Sequence, residues 1–294
     1  MKCSRFCIEQ PRPTRLILLG PPWSREIPYM PSGEPYSPPH HCSRLERPRS
    51  PGDEIKIVHP VTWRTPSHHH ALAVQAAPRP LHDSLRATLA SLEAAGLRRW
   101  PGPKFVMADG CQPDVPSPWQ VFATMDGPPG LGSARTFLAA FRKALEIDPG
   151  LELLTIFEDD VALSRNALDY IQVVEMPADV AMISWYSWEW KPPGPLLPPF
   201  LGIQPSRFFF DSQGLTLSRR AIDAALYCPM AANWRYRNKK DIMMAWVLMD
   251  APHAEHCPNL AQHMGGTNSA CGNSVTNVST TFLGTEFDAL TLIT

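Results

Sequence analysis

Along the chain, apolar positions change their spacing in a way that marks strands and helices from residue 55 onward. Residues 55–61, IKIVHPV, form a short β-branched run of strand type. In PLHDSLRATLASLEAAG, Leu81, Leu85, Leu89 and Leu92 recur at helical steps on one face. Asp83 or Ser84 can serve that helix's N-terminus, and Gly96 suits a left-handed C-terminal position. KFVMADG (104–110) reads as a strand closing in an Asp-Gly turn, and WQVFATM (119–125) as another strand. GPPGLG (127–132) is a loop. Ser133 then caps a helix through Glu146, with Phe137, Phe141 and Leu145 four residues apart. LELLTIF (151–157) is almost uninterruptedly apolar, as a strand covered on both faces must be.

The second half repeats these patterns less regularly. DVAMISWYSWEW (179–190) starts as a strand and ends in an aromatic cluster, while RFFF (207–210) and LTLS (215–218) read as strands. Helices are expected from Arg219 and through IMMAWVLM, which Asp241 introduces. Strands alternating with helices predict an α/β fold with a mostly parallel sheet flanked by helices. Ligands in such sheets bind beyond the carboxyl ends of the strands.

Residues 1–54 differ. They hold eleven of the 33 prolines, which block helix and remove backbone donors, and are expected to be a disordered extension ahead of one domain at 55–294. His68, His69 and His70 fall between prolines and read as a solvated loop.

Composition narrows the function classes. With 44% hydrophobic residues in 294, the chain can bury a sizeable core, and a net charge of -1 gives no general attraction to nucleic acid or anionic lipid. The apolar stretch Leu16 to Leu19 is too short for a signal sequence and no run is long enough to span a bilayer, so the expected location is cytoplasmic or peripheral to a membrane. Seven scattered cysteines without a C-x-x-C pair favour reduced, buried thiols; zinc held by Cys3, Cys7, His40, His41 and Cys42 is the weaker alternative.

The chemistry gathers at Glu158-Asp159-Asp160, where the most apolar strand surfaces. Side-chain alternation puts Glu158 and Asp160 on one face and Asp159 on the other. Carboxylates about 4 Å apart repel by about 4 kcal/mol at an intermediate dielectric, which calls for a compensating cation. All-oxygen ligation favours Mg²⁺ or Mn²⁺. A solvated acidic turn is the plain alternative. Taken alone, Asp109 reads as an ordinary turn aspartate and Arg135 as an exposed helix arginine. Asp241 has a strong capping role available at its helix N-terminus. Lys239 and Lys240 either steady a phosphate or are surface lysines without a specific task. Trp185, Tyr186, Trp188 and Trp190 are either core or an aromatic platform for the flat face of a sugar.

The run GLGSARTFLAAFRKALEIDPGLELLTIFEDDVALSRNALDYI resembles the core of GT-A glycosyltransferases, which deliver a DXD-type acidic motif from a buried strand. The lipopolysaccharide-type and N-acetylglucosaminyltransferase families ending that strand in E-D-D are the most similar. SLRATLASLEAAG with KFVMADG resembles their first helix and second strand, and DSQGLTLSRRAIDAAL a later strand–helix pair. CPNLAQHMGGTNS resembles their P-x-L-x-Q-H-x-G-x-x-S ending. The resemblance covers most of residues 55–265. It implies a nucleotide-sugar donor, UDP-linked by preference, and a glycan, lipid-linked or protein acceptor. By that resemblance Asp160 and His263 are metal ligands, Glu158 and Asp159 lie near ribose or metal, Asp109 belongs to the nucleoside pocket, Arg135 approaches the diphosphate, and Asp241 is the base of an inverting transfer. A nucleotidyltransferase, or a carbohydrate-binding protein without turnover, remains open at this stage; a basic glycine-rich loop after the first strand would mark the nucleotidyltransferase.

Overall fold

The computed structural model describes residues 55–58, 61–79, 84–124, 132–187, 199–206, 209, 212–234, 239–249, 251–265 and 277–293. The elements are β1 (Lys56–Val58), β2 (His70–Ala76), α1 (Leu85–Ala94), β3 (Lys104–Asp109), β4 (Gln120–Thr124), α2 (Ser133–Ile147), β5 (Leu153–Glu158), β6 (Val161–Leu163), α3 (Ala167–Val173), β7 (Met182–Ser184), β8 (Phe200–Pro205), β9 (Gly214–Ser218), α4 (Arg219–Tyr227), α5 (Pro229–Ala232), α6 (Lys240–Leu248), β10 (Pro252–Cys257) and β11 (Ala261–His263). None of the described helices is long and apolar enough to cross a membrane.

Nine strands form one sheet in the order β1-β8-β10-β7-β9-β5-β2-β3-β4, and β11 pairs with β6 in a small antiparallel ribbon. Strands β5, β2, β3 and β4 are mutually parallel. Strand β9 is antiparallel to both β5 and β7, so β7 and its parallel neighbour β10 regain the sense of β5. The carboxyl ends of six strands therefore open along one edge. Helices cover both faces. Leu85, Leu89 and Leu92 of α1 and Leu168 and Ile171 of α3 pack on one side, with Leu72, Val74 and Phe157 from the sheet. Phe137 and Phe141 of α2, Ile222 of α4 and Met243 and Met244 of α6 pack on the other, with Ala71, Ala73, Leu154 and Ile156. This double covering is why β2 and β5 have no polar face, and the expected α/β class is the one observed.

The largest departure from the sequence reading is β2. HALAVQA is an interior strand, between β5 and β3, not a loop after the histidine run. Its small alanines lack the β-branched signature, and the preceding prolines and histidines obscure its start. His70 is buried because Arg64 and Thr155 satisfy both ring nitrogens, at 2.6 and 2.8 Å. Arg64 has only donors, so Nδ1 accepts and Nε2 carries the proton toward Thr155 Oγ1. Thr155 meets Thr216 Oγ1 at 2.6 Å, and Trp185 Nε1 donates to Thr216 at 2.8 Å. The polar line thus crosses from β2 through β5 to β9. Burial and the Arg64 charge hold His70 well below the ordinary histidine range, consistent with this neutral tautomer.

IKIVHPV supplies only the edge strand β1, antiparallel to β8. Strands β8 and β10 were not legible either. Gly96 does adopt φ +108° after α1, where its Cβ would collide with Asp169. Residues 1–54, Leu81, Asp83, Trp188, Trp190 and most of GPPGLG and RFFF lie outside the described residues.

Candidate functional site

The open strand edge is crowded with charge. Strand β5 ends on Glu158, the chain turns through Asp159 and Asp160, and β6 leads away. The ribbon partner of β6 is β11, and its pairing puts His263 opposite Val161. That pairing brings together residues 103 positions apart: His263 Nε2 lies 3.1 Å from Asp160 Oδ2. One ligand atom each from Glu158, Asp160 and His263 falls within 4.8 Å of the others.

Asp159 turns the other way. Its Oδ2 accepts from the Ala77 N–H at 3.0 Å, and its Oδ1 accepts from Arg79 Nη2. Arg79 Nη1 also lies 3.0 Å from Asp160 Oδ2, so one guanidinium bridges two carboxylates just beyond β2. Burial pushes the Asp159 carboxyl up to about 6 although Arg79 opposes it. Burial acts on Asp160 in the same direction, but the His263 hydrogen bond and the Arg79 charge outweigh it and hold this carboxyl below its usual range. His263 is shifted upward: burial lowers it, and the bond to Asp160 more than compensates.

The second compensating cation is Lys240, the first residue of α6. It is not a surface lysine but 3% exposed. Its Nζ lies 2.8 Å from Glu158 Oε1 and 2.7 Å from Gln75 Oε1. Gln75 in turn donates to the Ser133 carbonyl at 2.6 Å, joining β2 to the start of α2. Asp241 follows Lys240 and is half-buried. Burial raises its carboxyl, with Lys239, Lys240 and the Ile242 N–H pulling the other way and Glu158 reinforcing the rise.

Asp109 closes β3 and accepts from the Gly132 N–H at 2.8 Å, fixing the entry to α2. Gly132 has φ +81°, a backbone conformation open to glycine. Arg135 is exposed in the first turn of α2. Trp185 and Tyr186 do not form the expected sugar platform. They are 1% and 0% exposed, because the Trp185 ring packs in the core with its indole N–H on Thr216 and the Tyr186 hydroxyl donates to the Asn277 carbonyl at 2.6 Å. Trp185 serves the edge through its backbone instead: its carbonyl accepts from Leu260 and Ala261 at the start of β11. Trp188 lies outside the described residues.

A divalent cation fits Glu158, Asp160 and His263. Asp160 Oδ1 is buried without a hydrogen-bond partner among the described residues. Gly265 leaves space beside it: a Cβ there would stand 2.4 Å from both Asp160 Oδ2 and His263 Nε2. The two carboxylates suit Mn²⁺ or Mg²⁺, and the imidazole is a competent ligand for Mn²⁺. Sequence reasoning missed Arg79, set in a Pro-Arg-Pro sequence that reads as a break, and the burial of Lys240. The unpaired acidity of the triplet demanded cations but gave them no address.

No protein-family model and no curated protein sequence matches the chain. Among solved structures it overlaps a glycosyltransferase involved in glycosylation of the major capsid of PBCV-1 (9% identity, TM-score 0.41, 67% of this chain and 96% of that one). It also overlaps Drosophila β1,4-galactosyltransferase 7 in complex with xylobiose (12%, 0.30, 53% and 52%) and an active-site mutant of LgtC (11%, 0.37, 62% and 71%). The chain spans about half the length of the galactosyltransferase 7 structure.

Proposed function

We propose that the chain is a divalent-cation-dependent glycosyltransferase. It moves a sugar from a nucleotide-sugar donor, with UDP-sugars the first choice, to a hydroxyl of a glycan, lipid-linked or protein acceptor. The supporting observation is the convergence of Glu158, Asp160 and His263 at the carboxyl ends of parallel strands, next to the first turn of α6.

Glu158, Asp160 and His263 would hold the cation, which when bound supplies Lewis-acid neutralisation of the leaving diphosphate. Arg79 keeps Asp159 and Asp160 oriented and adds fixed positive charge to that corner. Asp109 holds the turn into α2 against β3, on the side assigned to the nucleoside. Arg135, exposed one turn later, is available to the diphosphate. Asp241 accepts the proton of the acceptor hydroxyl as its oxygen bonds to the anomeric carbon and the bond to phosphate breaks. Attack from the face opposite the nucleotide gives inversion.

The first strand is followed by HPVTWRTPSHH and β2 by APRPLHDS, neither of them a basic glycine-rich loop, which disfavours a nucleotidyltransferase. The deciding experiment is a thermal-shift panel of nucleotide sugars with Mn²⁺ or EDTA, followed by a transfer assay with the stabilising donor. Chelator-sensitive stabilisation and transfer are expected. Stabilisation by free sugars without nucleotide or metal would instead make the chain a carbohydrate-binding protein.

A further inference from the structure

A lysine buried among apolar neighbours is costly unless its charge has a use, and Lys240 is enclosed almost completely. Its ammonium spans three elements: it belongs to α6, donates to Glu158 at the end of β5, and donates to Gln75 at the end of β2. The Phe137 ring of α2 lies 5.3 Å from Nζ. Capping of α6 needs no such arrangement, since an ammonium cannot accept from the helix's first N–H groups. The cation instead sits on one of the three groups that converge for a metal ion, and the next residue is Asp241.

We infer that Lys240 is a positioning residue that ties the first turn of α6 to Glu158 and, as a fixed positive charge on that carboxylate, weakens divalent-cation binding so that the ion exchanges with the nucleotide. This rests on the glycosyltransferase reading of the site. Like charges set close together in a partly dry crevice repel strongly, so Lys240 opposes an ion held by the same carboxylate. Lys240 already engages Oε1 of Glu158. Removing the charge should strengthen ion binding while loosening the helix turn that carries Asp241. Affinity and turnover then move in opposite directions, which a merely structural lysine would not produce.

The test is Mn²⁺ titration of the full chain, followed by the electron paramagnetic resonance of free Mn²⁺, for the unmodified protein, Lys240→Met, Lys240→Gln, Glu158→Gln and the double variant Lys240→Met/Glu158→Gln. Thermal unfolding checks that each is folded, and Lys240→Gln stands in if Lys240→Met does not fold. At least tenfold tighter Mn²⁺ binding is expected in the neutral Lys240 variants, with kcat down at least tenfold. The tightening should vanish in the Glu158→Gln background. Unchanged or weaker Mn²⁺ binding in a folded neutral variant, or tightening that persists without the Glu158 charge, would overturn the inference and leave the transferase reading intact. Failure of the unmodified chain to bind Mn²⁺ at all would overturn the metal-dependent reading, and the inference with it.

Discussion

Asp159 and Asp160 are neighbours in sequence with different tasks. Asp160 faces His263 and keeps one oxygen without a partner among the described residues; Asp159 is engaged by Arg79 and the Ala77 N–H. Asp160→Ala should therefore abolish Mn²⁺-dependent stabilisation and transfer, whereas Asp159→Asn should lower the unfolding midpoint more than it changes Mn²⁺ affinity; calorimetric titration beside denaturant unfolding separates the two. Gly265→Ala is the subtler probe. A methyl cannot fit between Asp160 Oδ2 and His263 Nε2, so Mn²⁺ binding should fall at least tenfold in a protein that still folds. For Asp241→Asn, a loss of kcat of about 10²–10⁴-fold with donor affinity retained is the signature of a general base. Loss of donor affinity at normal kcat would make the residue structural.

At the scale of elements, legibility followed periodicity. Helices α1 and α2 and strands β3 and β5 show their spacing plainly, because one repeating apolar face is all they need. Strand β2 does not, since alanines between flanking helices pack well without looking like a strand. The site was legible where one element carries it, as in Glu158-Asp159-Asp160. It was illegible where separate elements meet: no spacing rule links Arg79 or Lys240 to that triplet, and Asp160 and His263 are joined only by the β6–β11 pairing and, beforehand, by resemblance. The aromatic run misled because Trp185 and Tyr186 are large enough to fill the core beneath the edge. The polar line His70–Thr155–Thr216 is also an element-scale feature. Thr155→Val takes the Nε2 partner from His70 and one of two hydroxyl partners from Thr216, and should cost about 1–3 kcal/mol in chemical denaturation.

The whole molecule carries a cost of burial on β10. Burial lowers His253 to about 3 and His256 to about 4, and raises Glu255 well above the usual glutamate range. The histidines are depressed, so their contribution to stability is complete above 6.5 and is lost as pH falls through the folded values; for His256 alone this is about 3 kcal/mol. Glu255 is raised, so its contribution runs the opposite way and is complete below 4.5. Above that point acidification gains from Glu255 while losing from the histidines; below it Glu255 no longer compensates. The denaturation midpoint should drop steeply between pH 4.5 and 3, and Glu255→Gln should move the onset of the decline up toward 6.5. A profile unchanged by that substitution would count against a neutral buried Glu255.

The stretch from Asn277 to Thr281 is pinned to the ribbon that presents His263. The Ser279 N–H donates to the Gln262 side chain, Gln262 donates to the Asn277 carbonyl, and Asn259 donates to Ser279 Oγ. A protein shortened to end at residue 276 would keep Glu158, Asp160 and His263 yet lose the outer brace of one of them. Far-downstream sequence thus decides whether an imidazole reaches its carboxylate, and tail trimming amounts to editing the candidate metal site.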